Sequence, residues 1–182
     1  MKEPSNNEML VQLKKPSLSR EREFLESVRR SRTRLRPWAS PPASPRAFRA
    51  YVSHLSTPTR QGHFIVLRSS GELAGVVDLS EIVRGLFQSA YVGCYAFLPH
   101  AGRGYMSEGL TLVIRHAFDK LRLHRLEANI QPKNTASIAL FRRLGFRREG
   151  YSPRYLKISG RWRDHERWAL LAEEWRGRKR AV

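Results

Sequence analysis

A single cysteine, Cys94, stands among the 182 residues, so no internal disulfide can form, and that usage fits a reducing cytoplasm. No stretch approaches the roughly 18 consecutive apolar residues of a membrane span, so a membrane-embedded protein is not expected. Residues 1–16 lack the apolar centre of a secretory signal. Acidic side chains are scarce: 16 Asp and Glu face 34 Lys and Arg, leaving a formal net charge of +18. Such an excess says nothing about fold. It favours anionic partners, RNA or acidic protein surfaces, and read more plainly it keeps the chain soluble. Internal repeats and long low-complexity segments are absent, which leaves no solenoid and no flexible array. The length suits one domain with a real core. Its expected extent is 9–175, between a loose N-terminus at 1–8 and a solvated basic tail at 176–182.

What is present is organised around Tyr91 to Phe146. Tyr91–Leu98 (YVGCYAFL) is an apolar run of strand length, and Pro99 ends it because proline cannot donate to a ladder. Gly102-Arg103-Gly104 follows. A helical pattern then opens, with Met106, Leu110, Val113, Ile114, Ala117 and Phe118 at three- and four-residue steps. Strand, glycine turn and helix start leave several N–H groups unpaired at the positive end of a helix dipole, which makes an anion site. Taken alone, the same residues also read as a plain strand-to-helix connection. Arg125–Gln131 (RLEANIQ) reads as a second strand. Asn134 sits at an N-cap position, Ile138, Phe141 and Leu144 follow it, and Gly145 is the stop.

The flanks read more simply. Met9–Leu13 suits a short strand, and Ser19–Arg32 an amphipathic helix capped by Ser19, with Phe24, Leu25 and Val28 on one stripe. Residues 14–36 carry nine Lys and Arg against three Glu, a basic patch. Pro37–Pro45 is turn-rich. Ser44 and Pro45 open a second helix running to Leu55. A β-hairpin is expected from Phe64–Arg68 and Leu73–Leu79, a connection at Arg84–Gln88, and closing strands at Arg154–Ile158 and His165–Leu171.

Three stretches resemble the GNAT acetyltransferase superfamily, and within it the RimJ/RimL branch of ribosomal-protein N-terminal acetyltransferases. They are GRGYMSEGL at 102–110, NTASIALFRRLGFRREG at 134–150 and RWRDH at 161–165, with LRPW at 35–38 as a weaker fourth. The resemblance implies an α/β fold with a GNAT-like mixed, mostly antiparallel sheet, helices on both faces and a central parallel strand pair. That pair is 91–98 and 125–131, joined through helix 105–121 by a right-handed crossover.

It also implies acetyl transfer from acetyl-CoA to an amine, without a metal. The diphosphate would lie on Gly102, Arg103, Gly104, Tyr105, Met106 and Ser107. The backbone of Tyr95 and Ala96 would pair with the pantetheine arm as an added strand does. Asn134 matches the superfamily's pantetheine-binding asparagine, a role compatible with its capping position. Arg143 either reaches the 3′-phosphate or is a solvated helix arginine. Ala101 departs from the usual Gln or Arg, and Phe141 replaces a tyrosine that protonates the thiolate in many members. The branch instead carries a serine three residues after the asparagine, here Ser137, on the same helical face. Its hydroxyl is the candidate for stabilising the leaving sulfur. Leu156 stands where branch members have a glutamate, so no strong base is evident. Glu108, Asp164, His165 and Glu166 are candidates, with Glu108 and Asp164 equally suited to pairing with arginines. Cys94, inside an apolar strand, is disfavoured as a nucleophile. Trp38 reads either as an acceptor-site residue or as an aromatic plug.

An α-amine, with a reference pKa of roughly 8, needs less help from a base than a lysine at roughly 10.4. The expected acceptor is therefore a protein N-terminus of the ribosomal-protein kind, in the cytoplasm, with the basic surface docking on rRNA or an acidic substrate. The alternatives are a small amine acceptor, for which cationic polyamines would be repelled at long range, and an RNA- or ribosome-binding module that has lost turnover.

Overall fold

The computed structural model describes residues 9–36 and 38–180. The N-terminus at 1–8, Pro37 of the turn-rich segment and residues 181–182 of the expected tail lie outside the described residues. In order, the chain forms β1 (Val11–Lys14), a 3-10 turn (Leu18–Arg20), α1 (Glu21–Leu35), α2 (Pro45–His54), β2 (Ser56–Thr57), β3 (Arg60–Leu67), β4 (Leu73–Val83) and β5 (Ser89–Ala96). Then come α3 (Tyr105–Arg115), a π turn (His116–Lys120), β6 (Arg125–Ile130), α4 (Thr135–Arg143), β7 (Arg147–Ile158), β8 (Arg161–Leu171) and α5 (Ala172–Arg180).

One sheet runs in the order β1-β3-β4-β5-β6-β8-β7, with β2 paired to β3 off that path. Among the described residues only the β5–β6 pair is parallel, and α3 supplies the crossover between its strands. The mixed, mostly antiparallel sheet with a central parallel pair is thus the architecture expected from the resemblance. Strands β3 and β4 are buried along most of their length, as central strands covered on both faces should be. On one face, α1 and α2 bring Phe24 and Phe48 onto Phe64 and Phe97. Phe24 is the hub, with ring centroids 4.7, 5.8 and 5.6 Å from Phe48, Phe64 and Phe97. The other face is aliphatic where α3 covers β3 and β4, with Ile65, Val77 and Leu79 in one cluster with Leu110, Val113 and Ile114, and it gains Phe118, Phe141, Phe146 and Trp168 further along. Gly109 lets that helix come close, because a Cβ there would fall 2.7 Å from the Ile65 side chain.

Several boundaries differ from the sequence reading. Ser17 rather than Ser19 makes the first cap, accepting from the Ser19 N–H and opening the 3-10 turn, so α1 starts at Glu21 and reaches Leu35. Ser44 does cap α2, accepting from the Ala47 N–H at 3.3 Å. The strand expected to begin at Phe146 and the one expected at 154–158 are a single strand, β7, with two irregularities in its pairing with β8. The basic tail expected from Arg176 is helical as far as Arg180, as the continuation of α5. Trp175 is its buried anchor, Glu174 accepts from the Leu171 N–H, and Arg176 donates to the Phe118 carbonyl at 3.3 Å.

Candidate active site

The site begins where the parallel pair stops pairing. β5 and β6 are matched at Ser89/Arg125, Ala90/Leu126 and Tyr91/Glu127, and no further. Beyond Tyr91, β5 stays bonded to β4 as far as Ala96, opposite Gly75, while β6 stays bonded to β8. The strands therefore splay, and the backbone of Val92–Ala96 keeps one unpaired edge facing a cavity of about 580 Å³. Exposed ladder groups of this kind accept an extended chain as an added strand.

At the C-terminal end of β5 the cavity meets the turn into α3. Gly102 and Gly104 hold φ of +83° and +87°, a region that costs other residues strain, and a Cβ at either would meet nothing within 4 Å. Ser107 and Glu108 N–H groups close onto the Gly104 carbonyl, so the Tyr105 and Met106 N–H groups lie ahead of the first helical bond. With the dipole of α3 behind them they form an anion cradle. Opposite stands the start of α4. The Asn134 Oδ1 accepts from the Ser137 N–H at 3.2 Å, and Asn134, Ser137 and Phe141 line the same cavity. An open backbone edge running into an amide cradle fits an extended arm that ends in a diphosphate, which is the shape of coenzyme A.

The far side of the cavity is polar by side chain. Asp78 of β4, Asn129 of β6 and His165 of β8 line it together with Trp38. Asp78 Oδ2 accepts from the Tyr51 hydroxyl at 2.9 Å, and Tyr51 and Tyr95 hydroxyls lie 3.2 Å apart. Asp78 Oδ1 and Asn129 Oδ1 are buried and have no hydrogen-bond partner. Burial raises the Asp78 carboxyl from 3.8 to about 6, against the opposing pull of the Tyr51 hydrogen bond and Arg60. His165 Nδ1 lies 2.9 Å from the Arg163 carbonyl and so carries the proton. Burial holds its pKa below the usual value. The neutral ring leaves Nε2 as an acceptor.

The family model for the acetyltransferase (GNAT) domain matches residues 12–147. The chain belongs to the GNAT family. Among curated proteins it is 39% identical over 110 residues to probable N-acetyltransferase YjcK of Bacillus subtilis. Over 104 residues it is 42% identical to the [ribosomal protein uS5]-alanine N-acetyltransferase of Escherichia coli. Those matches cover 60% and 57% of this chain, and the chain spans only 61% and 54% of the lengths of these relatives. Among solved structures it resembles Mycobacterium smegmatis RimJ in complex with CoA-disulfide, at TM-score 0.83 and 28% identity over 90% of this chain and 83% of that one. The ribosomal-protein-S5-alanine acetyltransferase of Vibrio fischeri superposes at TM-score 0.80 and 25% identity, over 92% and 96% of the two chains.

Within this GNAT fold, most residues picked from the sequence converge. Trp38, Tyr95, Ala96, Gly102, Gly104, Met106, Ser107, Asn134, Ser137, Phe141 and Arg143 all line the cavity. Others turn elsewhere. Arg103 is exposed on the turn, and Tyr105 sits against the core with its ring 6.1 Å from His100. Glu108 Oε2 accepts from the Leu10 N–H at 2.8 Å, which ties the start of β1 to α3. Asp164 is taken up by the Tyr151 hydroxyl and the Arg154 N–H on the β7–β8 ribbon. Glu166 accepts from Trp168 Nε1 and pairs with Arg148. Cys94 lines the cavity, but burial pushes its thiol up to about 12, so it stays protonated. The sequence reading passed over Asp78 and Asn129. A usable signal existed for the first, a lone carboxylate in the apolar run LAGVVDL.

Proposed function

We propose that this protein transfers the acetyl group of acetyl-CoA to the α-amino group of a protein N-terminus. The observation that carries the reading is the splay of β5 from β6, which opens a backbone edge directly onto the glycine cradle at 102–107. Bound acetyl-CoA would supply an activated thioester. The chain's part is to hold it and to prepare the amine. Backbone groups of Val92–Ala96 would receive the pantetheine arm, and the Tyr105 and Met106 amides the diphosphate. Asn134 fixes the first turn of α4, and the Ser137 hydroxyl there would stabilise the charge that develops on the leaving sulfur.

Three considerations support a protein N-terminus as the acceptor. The curated relative with 42% identity acts, by its name, on the alanine of ribosomal protein uS5. An α-amine is the easier nucleophile to deprotonate. The net charge of +18 favours approach to a ribosome-bound or acidic protein and repels polyamines. We place the reaction in the cytoplasm. Among the described residues no helix is long and apolar enough to cross a membrane, and no group of three or more His, Cys, Asp and Glu side chains could hold a metal.

Calorimetry with acetyl-CoA tests the first half of the reading, and mass spectrometry of peptides beginning with alanine, free or blocked at the N-terminus, tests the second. Tight binding and modification of the free peptide alone are expected. Absence of acetyl-CoA binding would overturn the proposal.

A further inference from the structure

β4 carries a carboxylate where its neighbours are hydrocarbon. Val77 and Leu79, on either side of Asp78, are fully buried in the aliphatic core. The strand's alternation turns Asp78 to the opposite face, toward α1 and α2, together with Val76. Directly across the β4–β5 ladder from Asp78 stands Gly93, and Tyr95 faces Val76. Paired residues in an antiparallel ladder share a face, so a side chain at 93 would roof the carboxyl. Glycine leaves it open, and a Cβ added at Gly93 meets nothing within 4 Å. The cavity reaches the carboxyl through that gap, and Asp78 and Gly93 both line it.

The two oxygens are in different states. Oδ2 is held by Tyr51, while Oδ1 is buried without a partner. Asn129 Oδ1, from the strand across the splay, is a second buried acceptor lacking a donor in the same cavity. Unpaired buried acceptors are rare in folded proteins and each calls for a missing donor. Two unpaired acceptors in one cavity, one of them a carboxylate, fit a ligand group that only donates, such as an ammonium with its three N–H donors.

We propose that Asp78 receives the acceptor's ammonium group, with the Asn129 carbonyl as a second anchor, and takes its proton. The inference rests on the acetyl-transfer reading above. In the step, the carboxylate removes one proton from R–NH3+. The freed lone pair forms the N–C bond to the thioester carbonyl as the C–S bond breaks. The amine gives up a second proton, which balances the departing thiolate as a thiol, and the proton on Asp78 returns to water.

A carboxyl raised to about 6 is well placed for this work near neutral pH. The groups that interact with it are Tyr51 of α2, Tyr95 and Cys94 of β5 and Arg60 of β3, while Arg34 at the end of α1 and His165 of β8 line the same cavity. The base form is the ionised one, so activity should be lost as pH falls through about 6. The Tyr51 hydrogen bond favours the carboxylate, so Tyr51→Phe should move that acid limb to higher pH.

The test compares wild type, Asp78→Asn and Tyr51→Phe. The readouts are kcat/KM against pH for an alanine-initiated peptide, calorimetric CoA affinity, and binding of free versus N-acetylated peptide to the CoA complex. Asp78→Asn should keep CoA affinity within twofold and lose on the order of 100-fold in kcat/KM at pH 7.5. Its acid limb near pH 6 should vanish, and so should its preference for the free amine in the binding assay. Turnover within threefold of wild type with an unmoved limb would overturn the proposal while leaving the N-terminal acetyltransferase reading intact. A wild type that ignores every peptide but acetylates a small primary amine, with Asp78→Asn losing that activity, would overturn the acceptor reading and keep Asp78. A wild type inert toward all amines overturns both. If Asp78→Asn loses CoA binding through misfolding, the limb in Tyr51→Phe decides, and a limb that does not shift counts against Asp78.

Discussion

At the end of the cleft near α3, the candidate binding groups are backbone amides set by two glycines at positive φ and by a helix start. At the other end they are side chains brought from separate strands: Asp78 on β4, Asn129 on β6, His165 on β8, with Trp38 from the loop after α1. The first half is local. Residues 102–107 make it almost by themselves, and Asn134–Ser137 complete it from one helix turn. The second half exists only because the sheet order places β4, β5, β6 and β8 side by side. A backbone-built site tolerates many side chains but not a misplaced Cβ. A site built of side chains can be altered one group at a time, and its unpaired acceptors are a standing cost to stability.

The sharpest way to break the local half is Gly104→Glu. The substitution puts a bulky anion into the cradle at a φ of +87°. Acetyl-CoA affinity should fall at least 100-fold by calorimetry. The strain should cost only about 1 kcal/mol in unfolding free energy, in line with a non-glycine residue in the left-handed region. Binding preserved within tenfold would mean that the diphosphate lies elsewhere.

The non-local half responds in the opposite sense, because its groups serve a ligand at the expense of the fold. The Asp78 carboxyl is raised from 3.8 to about 6, so the folded state disfavours its ionisation. That penalty is absent below pH 3.8, grows between 3.8 and 6 as the unfolded chain ionises first, and is complete above 6. Asp78→Asn should therefore stabilise the protein by up to ~3 kcal/mol at pH 8 and by nothing comparable at pH 3.5, read by urea unfolding at both. A variant destabilised at pH 8 would show that the carboxylate is paid for by native contacts.

Ser137 lies at the boundary between the halves. Ser137→Ala should lower kcat about 10- to 100-fold while leaving CoA affinity within twofold, since the hydroxyl is assigned to charge that develops only during transfer. Turnover within twofold of wild type removes that role. Asn134→Ala should cost ~1 kcal/mol of stability by removing the cap of α4 at the Ser137 N–H, with some loss of CoA affinity.

The same division explains what the sequence could disclose. Gly102, Gly104, Asn134, Ser137 and Gly145 were legible because glycine turns, caps and stops leave marks within a few residues. The order of the central elements was legible from period and punctuation. Asp78 left one mark, a carboxylate inside an apolar run, but its place in the cavity depends on a ladder partner far along the chain, Gly93; Asn129, opposite Arg167, left no mark. The length of β7 was missed because its irregularities at Gly150 and between Ser152 and Leu156 look like turn signals in isolation. The end of α5 was missed because five basic or glycine residues outweigh one anchoring tryptophan in composition, whereas burial of Trp175 decides the matter in the fold.

Glu108 provides the smallest and most discriminating effect. It is four residues beyond Gly104 in the motif that marks the local half, so proximity in sequence nominates it as a base. Its carboxylate instead accepts from the Leu10 N–H at 2.8 Å, and it is not among the residues lining the cavity. That bond fastens the N-terminal edge strand across 98 positions of sequence, at an exposed site where one hydrogen bond to a carboxylate contributes about 1 kcal/mol. Glu108→Gln keeps an acceptor oxygen and removes the charge, so it should cost no more than ~1 kcal/mol in unfolding. Its kcat/KM should stay within twofold and its pH profile should not move. A tenfold loss of turnover at unchanged stability would instead carry the carboxylate's influence into the site, and the separation between a cradle made by backbone and an amine pocket made by side chains would fail at that residue.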